Sequence, residues 1–248
     1  MALLCKTVRE SKGAAMLIAG VQKLTLLDYP GQVACTVFTG GCNFRCPYCH
    51  NASLVLPERI REEPGGEEAV LRFLEKRRGV LDGVAVSGGE PLLHSGLADF
   101  LRAVRAMGYR VKLDTNGSFP ERLRALVEEG LVDRVAMDVK NAPAFYAETA
   151  GCRLLDMAAV ERSRAYLMSG AVEYEFRTTL VRGLHTPESV RAAAEWIAGA
   201  RAYFLQQFRD AGDVIAAAGL GAFTEDEMRA MADMVRPFVP SVRLRGVE

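Results

Sequence analysis

The sequence has no long apolar run: nothing in its 248 residues approaches the roughly 18 consecutive apolar positions that a membrane span requires. It also has no net charge, since Lys+Arg 31 balances Asp+Glu 31. That removes the electrostatic footprint expected of a partner for nucleic acid or an anionic membrane. Low-complexity tracts are absent and 50% of the residues are hydrophobic, which excludes disorder and collagen-like assembly. No fixed-period repeat or long linker divides the chain, and its length is below the size at which single cores split. The opening MALLCKTVRESKGAAMLIAG lacks a continuous apolar h-region and a small-residue cleavage site. Residues 1–15 look unlike the rest of the chain and are expected to be a mobile extension, with 16–248 forming one domain. A chain this long needs no disulfide staples, so its six cysteines point to a reducing cytoplasm. There, clustered thiols more often bind metal or act in redox chemistry.

What is present is an alternation of β-rich runs and amphipathic helical stretches. Strands are predicted at Val33–Phe38, Gly83–Val86, Arg110–Leu113, Val132–Val139, Val172–Leu180 and Tyr203–Phe208, with a short one near Val242–Leu244. Between them lie helical faces such as Leu97, Phe100, Leu101, Val104 and Met107. Thr186 followed by Pro187 reads as a helix start, and Thr224 with Glu227 as a capping box. About six βα units imply parallel strands with right-handed crossovers, fewer than the eight of a complete barrel. The predicted fold is therefore α/β, an incomplete, open (β/α)6-type barrel of parallel strands. The polar motifs fall where strands end, the edge at which such folds bind ligands.

The strongest signal is GGCNFRCPYCHN, residues 40–51. It sets Cys42, Cys46 and Cys49 as C-x3-C-x2-C directly after a strand. Three thiolates this close can each ligate iron, whereas a structural zinc site needs four closed ligands, often from two separate pairs. No second pair exists, and His50 adjoins Cys49 too closely to aim at the same metal. Zinc binding or plain electron transfer remains the bland alternative. Ser87-Gly88-Gly89-Glu90-Pro91, Asp114-Thr115-Asn116-Gly117 and Asp138-Val139-Lys140 end the next three strands. Alone, each reads as an ordinary turn or polar strand end.

Taken together these residues resemble the radical S-adenosylmethionine superfamily, whose pattern is C-x3-C-x-aromatic-C; Tyr48 holds the aromatic place. The resemblance implies the radical SAM fold and a 4Fe–4S cluster on Cys42, Cys46 and Cys49, with one iron open to the amino and carboxylate groups of S-adenosylmethionine. An electron from the reduced cluster would then cleave the sulfonium bond to give methionine and a 5′-deoxyadenosyl radical. Gly88, Gly89 and Glu90 look like the GGE motif that meets the cofactor's amino group. Asp138 and Lys140 are implied to contact its methionyl part, with Lys140 suited to the carboxylate. Asp114, Thr115 and Asp138 match the monovalent-cation site of the pyruvate formate-lyase activase. Arg177 shares a strand face with Glu173 and Glu175, which suggests a wet lumen, and by resemblance could reach the cofactor. Gln206 and Gln207 stand where the activases can place a histidine. His94 and His185 read as surface or helix-start residues, and Cys5, Cys35 and Cys152 as structural or incidental.

LTLLDYPGQVACTVFTGGCNFRCPYCHN, FRTTLVRGLHT, YFLQQF and VRLRGVE are similar to the activating proteins of the anaerobic ribonucleoside-triphosphate reductase. That resemblance implies an oxidoreductase that installs a glycyl radical on a partner enzyme, with a flavodoxin- or ferredoxin-type electron donor. A pyruvate formate-lyase-type activase, or a radical enzyme acting on a small molecule, is the alternative.

Overall fold

The computed structural model describes residues 16–210 and 212–247, so the extension expected over residues 1–15, Cys5 included, lies outside the described residues. One eight-stranded sheet organises the chain, in the order β1 (Ile18–Thr25), β2 (Ala34–Thr39), β3 (Gly83–Gly88), β4 (Arg110–Thr115), β5 (Arg134–Asp138), β6 (Glu173–Leu180), β7 (Tyr203–Gln207) and β8 (Val242–Arg245). β2 to β8 run parallel, each beside its sequence neighbour. β1 alone is antiparallel, on β2. No pairing joins β1 to β8 among the described residues, so the barrel stays open. No helix among them is long and apolar enough to cross a membrane.

The strand unforeseen in the sequence is β1. Its pairing with β2 slips between Ile18 and Gly20 and again between Gln22 and Thr25, so its side chains do not keep the strict alternation by which a half-buried strand is recognised. The other predicted strands are found, with ends shifted by a residue or two. Asp156 caps the helix Met157–Met168 by accepting from the Ala159 amide. Thr186 and Thr224 cap their helices as read, Thr224 through the reciprocal box with Glu227.

The sheet divides its chemistry by face. Val84 and Val86, Val111 and Leu113, Val135 and Met137, and Tyr174 and Phe176 are buried and join the helix residues Phe100, Leu101, Val104 and Leu123 in one apolar core. The intervening positions point the other way. On that concave face stand Lys112 and Asp114 of β4, Asp138 of β5, and Glu175 and Arg177 of β6. The parallel register brings Asp138 beside Arg177 and Gln206 beside Arg245.

Candidate active site

At the carboxyl edge of the strands the concave face opens into a cavity of about 830 Å³. Cys42, Cys46 and Cys49 line one side of it, on the loop that follows β2. Tyr48, Gly88, Gly89, Asp114, Asp138, Lys140 and Arg177 also line it, so residues from five consecutive strands, β2 to β6, and the loops after them face one cavity. Gln206, Arg209 and Arg245 line the β7–β8 end, and Leu27 and Asp28 the β1–β2 end.

The cysteine loop is held by close backbone packing. Gly89 and Glu90 accommodate it directly: the Gly89 amide donates to the Thr39 carbonyl at 2.9 Å and the Glu90 amide to the Gly41 carbonyl at 2.8 Å. A Cβ at Gly89 would lie 1.9 Å from the Gly41 oxygen, and one at Gly88, where φ is +113°, 2.4 Å from Thr39 backbone atoms. The glycine pair is thus required by the protein's own loop as well as by any ligand. On the other flank the Arg45 amide donates to the Ala150 carbonyl at 3.0 Å, a contact that a side chain at Gly151 would obstruct.

Burial pushes the thiol of Cys42 up to about 12 and that of Cys46 up to about 11, the latter against the nearby Lys140 charge and a hydrogen bond from the Tyr48 hydroxyl. Burial likewise raises Cys49. Protein side chains alone therefore leave these thiols protonated; a metal would draw off the protons as it binds.

The charged residues of the lumen form one chain of contacts. Lys112, 1% exposed, pairs with Asp114. Arg177 reaches Asp114 at 3.0 Å and Asp138 at 3.0 Å, and Lys140 closes on Asp138 at 2.9 Å. Burial opposes ionisation of both carboxylates, but Arg177 and Lys112 overcome it at Asp114, and Lys140 and Arg177 at Asp138, holding both below the usual range. Below this chain, Glu175 is fully buried and takes Arg134 at 2.6 Å and Arg245 at 3.0 Å; Arg245 also stacks 3.8 Å over the Phe204 ring.

Two predicted site residues are placed otherwise. Glu90 does not line the cavity: it is fully buried and accepts hydrogen bonds from the Leu92 amide (3.0 Å), the Thr115 hydroxyl (2.8 Å) and the Asn116 amide (2.7 Å). It ties the end of β3 to the end of β4 rather than presenting its carboxylate to a ligand, and burial pushes it up to about 7. Thr115 lines the cavity with Asp114 and Asp138, with which it was grouped as a cation site, but its hydroxyl donates to Glu90. A cation there would compete with Lys112, Arg177 and Lys140 for Asp114 and Asp138.

His185 directly precedes the helix cap Thr186, as the helix-start reading has it, but at 4% exposed it is not a surface residue. Its Nδ1 accepts from the Val181 amide at 3.1 Å, so Nε2 carries the hydrogen given to the Lys140 carbonyl at 2.9 Å. It therefore braces the strand end that carries Lys140. His94 is half-buried against the Gly40 carbonyl, 3.0 Å away. Lys112 and Arg245 were given no role in the sequence. A period-2 reading from Asp114 back to Lys112, of the kind that joined Arg177 to Glu175, would have found the first.

A cysteine loop after the first parallel strand of an open barrel, facing a cavity at the carboxyl edge, defines a class: barrel enzymes built around a thiolate-held metal cluster. The chain belongs to the radical SAM superfamily, whose model matches residues 36–161. Over 238 residues it is 30% identical to a candidate glycyl-radical enzyme activating enzyme of Methanocaldococcus jannaschii, covering 93% of this chain and 96% of that one. Over 165 residues it is 33% identical to the GTP 3′,8-cyclase of Pelotomaculum thermopropionicum, covering 62% of this chain and 48% of that one. Streptococcus suis SuiB bound to S-adenosylmethionine shares the fold, with a TM-score of 0.65 at 12% identity over 83% of this chain and 48% of SuiB. The chain thus spans about half the length of the last two.

A 4Fe–4S cluster and S-adenosylmethionine follow from the family, and the donor set fits them. Three thiols on one loop, with no fourth beside them, suit a cluster that takes one thiolate per iron and keeps one iron open.

Proposed function

We propose that this protein is a glycyl-radical-enzyme activase, with anaerobic ribonucleoside-triphosphate reductase as its partner. Supporting the activase reading are the relative similar over nearly the whole chain, named as a candidate glycyl-radical enzyme activating enzyme with no partner specified, and the motifs GGEP, DTNG and DVK at consecutive strand ends. The observation that carries the reading is that Cys42, Cys46 and Cys49 line one cavity with Lys140, Asp138 and Arg177.

When bound, the cluster would supply the electron for reductive cleavage of S-adenosylmethionine, the chemistry by which hydrogen would be taken from a glycine Cα of the partner. Cys42, Cys46 and Cys49 would each give a thiolate to one iron of the cluster. The backbone of Gly88 and Gly89 faces the cofactor's amino group. Lys140 meets its carboxylate, kept charged and aimed by Asp138, which Arg177 holds in turn. Tyr48, 5% exposed, lies within the cysteine loop and hydrogen-bonds Cys46. Glu90 acts at one remove, by fixing the loop that carries Thr115 and Asn116. A flavodoxin- or ferredoxin-type protein supplies the electron.

The test is anaerobic reconstitution with iron and sulfide, reduction with dithionite, and addition of S-adenosylmethionine with and without the reductase. Formation of 5′-deoxyadenosine and a glycyl EPR doublet on the reductase is expected. Without 5′-deoxyadenosine the radical chemistry fails; without the doublet only the partner does. The likeness to the GTP 3′,8-cyclase favours a second reading, action on a small molecule, in which a modified product forms without a protein partner.

A further inference from the structure

Asn116 sits in the turn after β4, 5% exposed, and every polar atom of its side chain is committed. Its Oδ1 accepts from the Ser118 amide at 2.9 Å and the Ser118 hydroxyl at 2.6 Å. That saturation fixes which way the amide faces, because the opposite orientation would set donors against donors. Nδ2 then donates one hydrogen to Asn43 Oδ1 at 2.9 Å and directs the other to the Cys42 sulfur, 3.9 Å away. The frame around it is closed: Asn43 Nδ2 donates to the Ser118 hydroxyl at 2.9 Å, and the Asn116 backbone amide donates to buried Glu90 at 2.7 Å. The same sulfur accepts from the Phe44 amide at 3.4 Å, so Cys42 receives two donors.

We infer that Asn116 is a positioning residue for the cluster, donating to the Cys42 sulfur and so setting how readily the cluster accepts its electron. The inference rests on the cluster assigned above. A donor at a ligating sulfur stabilises the added negative charge of the reduced state more than the oxidised state, which raises the potential. The amide is neutral and rigidly held, so its dipole acts without reorganisation, and it lies on the one cysteine that the DTNG turn touches.

The reconstituted holoprotein, Asn116→Ala and Asn116→Asp are compared by EPR-monitored redox titration, with iron and sulfide measured on each. Expected is wild-type iron and sulfide content, with a ratio of reduced to oxidised cluster about tenfold lower at fixed potential. That is a midpoint drop of about 59 mV for one electron. Asn116→Asp, which keeps the shape and turns an oxygen to the sulfur, should fall at least as far as Asn116→Ala. A midpoint unmoved in both overturns the role of Asn116 and leaves the activase reading standing. A wild-type protein that takes up no iron overturns both. If neither Asn116 variant retains iron, Ser118→Ala decides, since it touches no sulfur but removes one donor fixing the amide: a lowered midpoint supports the role, and an unchanged one overturns it.

Discussion

Glu90 is a carboxyl group in a fully buried place, surrounded by three donors that favour its charged form and by an interior that disfavours it, and the interior prevails. Its value rises from 4.5 to about 7. The unfolded chain therefore releases this proton before the folded one does, so the group's contribution to stability is full below pH 4.5 and is lost as pH rises toward 7. The span corresponds to about 3 kcal/mol. Glu90→Gln should flatten the fall in stability of the metal-free protein between those pH values, measured by denaturant unfolding; a slope equal to wild type would mean Glu90 titrates normally. Cys42→Ala, Cys46→Ala or Cys49→Ala should each abolish cluster assembly, read as iron and sulfide content; full retention in any one removes it from the ligand set. Lys140→Ala should keep the iron but weaken S-adenosylmethionine binding by roughly ten- to a hundredfold, the weight of a charge-assisted hydrogen bond; isothermal titration showing unchanged affinity takes Lys140 out of the site.

At the scale of elements, the loop after β2 and the loop after β3 are packed backbone to backbone. Gly89→Ala would place a methyl on the Gly41 carbonyl, where neither side has a flexible side chain to yield. A loss of about 3 kcal/mol is expected, with cluster loading impaired, while Thr224→Ala, remote from the site, should cost about 1 kcal/mol and leave loading intact. Comparing unfolding midpoints with iron content separates the two effects. Much of this was legible in the sequence: the cysteine spacing, the glycine pair and the strand-end polar triplets are local patterns, and local patterns survive in one dimension. What was hidden is reciprocal and distant. That Glu90 faces away from the cavity depends on Thr115 and Asn116, some 25 residues away, and the burial of His185 on the Lys140 carbonyl across 45. β1 escaped because its irregular register erased the alternation, and Lys112 because a single cation in a strand reads as solvent-facing until its partners are known.

Over the whole molecule, the ion pairs inside the barrel join Lys112, Arg134, Lys140, Arg177 and Arg245 to Asp114, Asp138 and Glu175. A group that binds the folded chain and not the unfolded one stabilises the fold. Loading the cluster should therefore raise the thermal midpoint above that of the metal-free protein; equal midpoints would show that the folded chain gains nothing from it. Air should bleach the loaded protein, since a cavity of this size admits small oxidants to the open iron, and visible absorbance follows the loss.

The division of the sheet into an oily outer surface and an ionic inner one has a consequence for how such a protein can change. Residues that decide what is processed and residues that keep the chain folded occupy opposite sides of the same strands, one position apart. Exchanges inside the hollow and repacking of the shell should thus be close to independent in their energetic effects, which leaves descendants of this chain free to acquire new chemistry without first rebuilding their framework.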